Sequence, residues 1–74
     1  MKELIDELES LLYSKLLKSD NGKLSFDDIM DIFDSKPEYG LRIVCGGAIR
    51  KIKERKDVYQ LKDEKDRPYL KLKE

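Results

Sequence analysis

The sequence of 74 residues contains no histidine, no tryptophan and a single cysteine. Without histidine the chain lacks the commonest general acid–base of enzymes and the commonest zinc ligand, and one cysteine forms no internal disulfide. It also contains no glycine-rich loop of the Walker or dinucleotide-binding type. These absences predict a protein that is not an enzyme, holds no cofactor or metal, and has no small-molecule substrate.

Long hydrophobic runs are missing as well. No stretch approaches the roughly 20 apolar residues of a membrane span, and the opening Met-Lys-Glu-Leu-Ile-Asp-Glu lacks signal-peptide character. We therefore expect no membrane contact and a cytoplasmic or nuclear location. Charged residues make up 43% of the chain, which suits one small domain over residues 1–74, because a domain of this size buries only about 60% of its unfolded surface.

The formal net charge is zero, unlike that of a strongly basic nucleic-acid binder. The charges are nevertheless unevenly distributed. Up to Leu41 there are five basic and ten acidic residues, and from Arg42 onward there are eleven basic and six acidic residues. This asymmetry predicts an electrically polarised surface. The alternative is that the charges only keep a small domain soluble.

The first half of the chain predicts two helices with a short strand between them. Apolar residues recur at helical spacing over residues 3–18, and Asn21-Gly22 is a stop signal. Lys23-Leu24-Ser25 is long enough for a minimal strand that joins a sheet through Leu24. Ser25, with Asp28 three residues later, is typical of a capping box that begins a second helix.

Pro37 ends the second helix, and residues 37–40 form a short link to a basic segment over residues 41–56. An apolar stripe predicts a third helix there: Leu41, Val44, Cys45, Ala48, Ile49 and Ile52. Two adjacent glycines, Gly46-Gly47, cost about 1 kcal/mol each in a helix interior, so something must approach the backbone closely there. The alternative is a strand over residues 41–45, a turn at the glycines, and a helix only from Ala48 to Lys56.

The two-residue rhythm after Asp57 predicts two strands, with Tyr59 and Leu61 on one strand and Leu70 and Leu72 on the other. The charged residues 63–67 form the turn between them. The fold class predicted is therefore α+β, with three helices, a short strand and a C-terminal β-hairpin. Its predicted core comprises Leu8, Leu12, Phe26, Ile29, Phe33, Ala48, Ile49, Ile52, Leu61 and Leu70.

The turn before the second helix partly matches a calcium-binding loop. Asn21-Gly22 and Asp28 match positions five, six and twelve of an EF-hand loop, but Leu17 occupies the first position, where a carboxylate is required. The acidic row Asp27, Asp31 and Asp34 is typical of a solvated helix face. We expect no metal at either place.

By its order of elements, the chain resembles the winged helix-turn-helix superfamily over essentially its full length. That resemblance implies a nucleic-acid-binding module, DNA more than RNA, of the kind found in small transcription regulators. The cations of the third helix and the wing can neutralise phosphates on both sides of a groove, and the glycines would let the helix backbone approach them. The predicted contacts are Arg42, Gly46, Gly47, Arg50, Lys51, Lys53, Lys65 and Arg67.

The stretches LLYSKLLKSDNGKLSFDDIMDIF, EYGL and AIRKIKERKDVYQL are similar to LOTUS (OST-HTH) domains. That similarity implies RNA binding or docking on an RNA helicase. Gly46-Gly47 and the many lysines depart from the LOTUS pattern, so it assigns no residue roles. The alternative function is a protein-interaction module, monomeric or homodimeric, in which the acidic first two helices contact a protein partner and no nucleic acid.

Overall fold

The computed structural model describes residues 1–73 as an α+β domain with three helices and a three-stranded antiparallel sheet. The helices are α1 (Lys2–Lys18), α2 (Phe26–Phe33) and α3 (Arg42–Lys53), with a 3-10 turn over Pro37–Gly40 between α2 and α3. The strands are β1 (Lys23–Leu24), β2 (Val58–Lys62) and β3 (Pro68–Leu72), and they lie in the order β1-β3-β2. The predicted α+β class, with its short strand and C-terminal hairpin, is confirmed.

The connection from α1 to α2 follows its sequence signals. Gly22 adopts a φ of +64°, a conformation that glycine accepts without steric cost. Its carbonyl oxygen accepts a 2.8 Å hydrogen bond from the backbone N–H of Leu72, which attaches the turn to the sheet. Ser25 then caps α2: its Oγ accepts from the Asp28 N–H at 3.1 Å, and the Asp28 carboxylate accepts from the Ser25 N–H at 3.2 Å. The predicted capping box is present.

Helix α3 is continuous through Gly46 and Gly47, so the strand-and-turn alternative is wrong. The two glycines have different surroundings. A Cβ at position 47 would lie 2.8 Å from Cδ1 of Ile5 on α1, so the absence of a side chain lets α1 and α3 approach each other. A Cβ at position 46 would meet no atom within 4 Å.

The core lies between the helices and one face of the sheet. Seven residues predicted for it are buried: Leu8, Leu12, Ile29, Phe33, Ala48, Ile52 and Leu70. Leu16, Leu24, Ile32, Tyr39, Val44 and Val58 complete it, whereas Ile49 packs against it while only partly buried. Three placements are wrong. Phe26 is only partly buried and lies outside the core. Leu41 precedes α3 and is 47% exposed, and Leu61 is 39% exposed.

Leu61 is exposed because β2 presents the opposite face from the one predicted. Val58 is 4% exposed and pairs with Leu72, and Gln60 pairs with the fully buried Leu70. Tyr59 and Leu61 therefore point away from the core. The residue before β2 is attached to α1 in this orientation: Tyr13 donates a hydrogen bond to Asp57 Oδ2, and the adjacent Val58 enters the core.

Candidate nucleic-acid interface

One side of α3 carries a row of cations. Arg42, Gly46, Arg50 and Lys53 follow one another at steps of four, four and three residues, and all four are exposed. Among residues 1–73, Arg42, Arg50 and Lys53 form no ion pair. We call these three side chains the α3 cationic row. The open backbone of Gly46 lies between the two arginines.

Apolar surface borders the α3 cationic row near the beginning of the helix. Ile43 is 60% exposed and Leu41 is 47% exposed. An open groove of about 510 Å³ lies there, lined by Ile5, Arg42, Ile43, Gly46, Gly47 and Arg50. This end of α3 therefore offers apolar contact beside positive charge.

Lys51, a predicted contact, faces α1 and pairs with Asp6. The hydrogen bond from Lys51 lowers the pKa of the Asp6 carboxyl below its ordinary value. Gly47 is likewise turned toward α1, against Ile5. These two predicted site residues lie in the contact between α1 and α3.

Arg55, just beyond the C-terminus of α3, also contacts α1. It donates to both carboxylate oxygens of Glu9, which is only 3% exposed, and its guanidinium lies 3.8 Å from the centre of the Tyr13 ring. The hydrogen bonds to Glu9 raise the pKa of Arg55. Two acids of α1 thus neutralise two cations of the second half, so part of the charge asymmetry in the sequence is internal ion pairing.

The hairpin turn contains the two remaining predicted contacts, Arg67 and Lys65, and only the Arg67 side chain is paired there. Arg67 Nε lies 3.1 Å from Asp63 Oδ2, and Arg67 Nη1 lies 3.5 Å from Asp27 Oδ1 on α2. The backbone N–H of Arg67, followed by that of Lys65, lowers the pKa of the Asp63 carboxyl. Arg67 therefore ties the turn to the start of α2, whereas the Lys65 side chain is exposed at the turn.

The predicted contacts are thus only partly brought together. Arg42, Gly46, Arg50 and Lys53 share one exposed face of α3. Gly47 and Lys51 belong to the packing with α1, and Lys65 and Arg67 belong to the hairpin turn. The sequence pattern of α3 could not separate these groups, because cations occur on both sides of the helix and the acids that pair with them lie more than 40 residues earlier.

Sequence reasoning missed the outer face of the sheet. Tyr59 and Leu61 of β2 lie there opposite Lys71 and Tyr69 of β3, and Lys23 of β1 lies opposite Lys71 on the other side. The available signal was that both alternating sets in β2 contain apolar residues, so one set had to remain outside the core.

The described part of the chain contains neither a cluster of metal ligands nor a helix suited to span a membrane. No three His, Cys, Asp or Glu side chains of residues 1–73 are grouped so that they could hold a metal ion. None of the helices in this range combines the length and the apolar composition that crossing a membrane requires.

Comparison of the chain with models of protein families, with curated proteins and with solved structures gave no match.

Proposed function

We propose that this chain is a nucleic-acid-binding module of the winged-helix type, with duplex DNA as its preferred target and α3 as its recognition helix. The order helix, strand, helix, turn, helix, hairpin and the strand order β1-β3-β2 support the proposal. The short 3-10 turn between α2 and α3 is also typical of a helix-turn-helix.

The α3 cationic row is the observation that carries the proposal. Its three cations lie on one exposed helix face, whereas Asp6 and Glu9 of α1 pair with Lys51 and Arg55. A helix surface with unneutralised cations attracts phosphates, and binding releases the counterions condensed on the nucleic acid. Arg50 and Lys53 lie beyond the first turn of α3, where their side chains can contact phosphates or base edges of a groove occupied by the helix.

Gly46 and Ile43, the uncharged residues of this face, also have roles in the proposed complex with DNA. Gly46 lets the helix backbone approach the sugar–phosphate wall, because no side chain stands between them. Ile43 supplies an apolar contact of the kind that reads the methyl group of thymine in the major groove.

The hairpin serves as the wing in this account. Lys65 contacts the phosphate backbone beside the groove, and Arg67 holds the turn in place through Asp63 and Asp27. Loss of Lys65 should therefore weaken binding to all sequences alike, as expected of a contact that positions the protein without reading bases.

The test is a charge reversal with a matched control. Arg50→Glu combined with Lys53→Glu changes two exposed cations in the last turn of α3, and Lys15→Glu combined with Lys18→Glu makes the same change at the same spacing in the last turn of α1. We expect the α3 variant to lose binding to fluorescent duplex DNA in anisotropy titrations, and the α1 variant to retain most of it. Circular dichroism should show both folded.

Equal binding by the α3 variant and the parent protein would refute the proposal. The alternative, a protein-interaction module, would then gain support. The exposed acids of the first two helices are its candidate contacts, among them Glu3, Glu7, Asp27 and Asp31.

A further inference from the structure

The outer face of the sheet, which looks away from the core and from α3, combines three large apolar side chains with three lysines. Tyr59 is 49% exposed, Leu61 is 39% exposed, and Tyr69 is partly exposed beside Leu61. The lysines are Lys23, Lys71 and Lys73. We call these six residues the outer sheet face.

Each tyrosine of the outer sheet face has a lysine ammonium close to its ring. Lys23 Nζ lies 4.5 Å from the centre of the Tyr69 ring, and Lys73 Nζ lies 4.5 Å from the centre of the Tyr59 ring. Within residues 1–73, none of the three lysines pairs with an acid. In the described part of the chain, the face is therefore aromatic and cationic, and its lysines have no acidic partner.

The charge of this face argues against a second copy of the same chain as its occupant. Two identical faces would bring six lysines together, and like charges in contact are destabilising. A negatively charged partner with planar apolar groups suits the face better. Nucleic acid has both properties, because its phosphates pair with lysines and its bases stack on aromatic rings.

The exposed tyrosine rings favour single strands over duplexes. Tyr59 is paired with Lys71, so Tyr69, two residues along β3, is its diagonal neighbour on the same face. The bases of a duplex are already stacked on one another, so a base can stack on a tyrosine ring only after it leaves that stack. An extended single strand allows this at both tyrosines.

We propose that the outer sheet face is a second binding site, specific for single-stranded nucleic acid. Two bases stack on Tyr59 and Tyr69, Leu61 contacts the base on Tyr69, and the lysines move from the rings to the adjacent phosphates. This site does not depend on the α3 cationic row. A module with both sites would hold a duplex through α3 and an unpaired strand through the sheet.

The test uses a fluorescent oligothymidylate of about 10 nucleotides, within the size range of single-strand sites, and an abasic strand of the same length. Tyr59→Leu and Tyr69→Leu keep apolar side chains but remove the rings. We expect each to weaken binding of the oligothymidylate at least about fivefold, since base stacking is worth that much or more. Tyr59→Phe and Tyr69→Phe should bind nearly as well as the parent protein.

The two proposed sites are separable in the same titrations. The Arg50→Glu, Lys53→Glu variant should lose duplex binding and keep oligothymidylate binding. Tyr59→Leu and Tyr69→Leu should keep duplex binding and bind oligothymidylate more weakly. The parent protein should bind the abasic strand at least about fivefold more weakly than oligothymidylate.

Three results would overturn the proposal. Equal affinity for the abasic strand would show that stacking is absent. Unchanged oligothymidylate binding by both leucine variants would exclude the tyrosines. A concentration-dependent dimer in sedimentation, lost in the leucine variants, would show that a second copy covers this face instead.

Discussion

The adjacent glycines of α3 provide a matched pair of substitutions with opposite expected effects. Gly46→Ala adds a methyl group that meets no atom within 4 Å, so it brings only the better helix propensity of alanine. We expect it to stabilise the fold by about 0.5–1 kcal/mol. Gly47→Ala has the same propensity gain, but its methyl group would lie 2.8 Å from Ile5 Cδ1 and 3.1 Å from Ile5 Cγ1.

The steric cost at position 47 should at least offset the propensity gain. Adding a methyl group to a close contact costs about 1–3 kcal/mol, so Gly47→Ala should range from neutral to about 2 kcal/mol destabilising. The two alanine variants should thus differ by about 1–3 kcal/mol in the free energy of unfolding. Urea denaturation followed by circular dichroism measures that difference directly.

A second substitution identifies the contact responsible. Ile5→Val removes Cδ1, the atom nearest to the added methyl group. In the Ile5→Val background, Gly47→Ala should cost at least about 0.5 kcal/mol less than in the parent chain. Equal stabilisation by Gly46→Ala and Gly47→Ala would mean that α1 does not approach α3 as closely as described.

Two further predictions concern the sheet and its hairpin. The Gln60 side-chain oxygen is buried without a hydrogen-bond partner among residues 1–73, so Gln60→Leu should raise the free energy of unfolding in urea by about 1 kcal/mol, and a loss would indicate that the amide is satisfied. Hydrogen bonds lower the pKa of Asp63 in the folded state, so its contribution to stability is present above the unfolded value of about 3.9 and is lost as the pH falls below it. Thermal melts should therefore show a smaller acid-induced decline for Asp63→Asn than for the parent protein, and identical declines would contradict this assignment.

Local signals in the sequence were sufficient for most of the fold. The Ser25 capping box, the phase of the apolar stripe in α3 and the change of period at Asp57 are each set by neighbouring residues, and each predicted its element correctly. The facing of β2 was not predictable in this way. Val58, Tyr59 and Leu61 supply apolar groups to both sides of the strand, and a contact from Tyr13, 44 residues away, accompanies the observed choice.

The candidate interface was also only partly predictable from the sequence, because part of it depends on tertiary contacts. The sequence identified α3 as the basic helix, and four of its predicted contacts do share an exposed face. It could not reveal that Lys51 pairs with Asp6, or that Gly47 serves the packing against Ile5. Both assignments depend on how α1 crosses α3, which is a property of the tertiary structure.

The dependence of duplex DNA affinity on salt concentration is the sharpest test of phosphate binding by the α3 cationic row. If Arg42, Arg50, Lys53 and Lys65 each neutralise one phosphate, the logarithm of the association constant should fall with the logarithm of salt concentration at a slope of about −3 to −4. Replacing Arg42 or Lys53 by alanine should each reduce that slope by about one unit. Binding that is insensitive to salt, or a slope unchanged in both alanine variants, would show that these side chains do not neutralise phosphates.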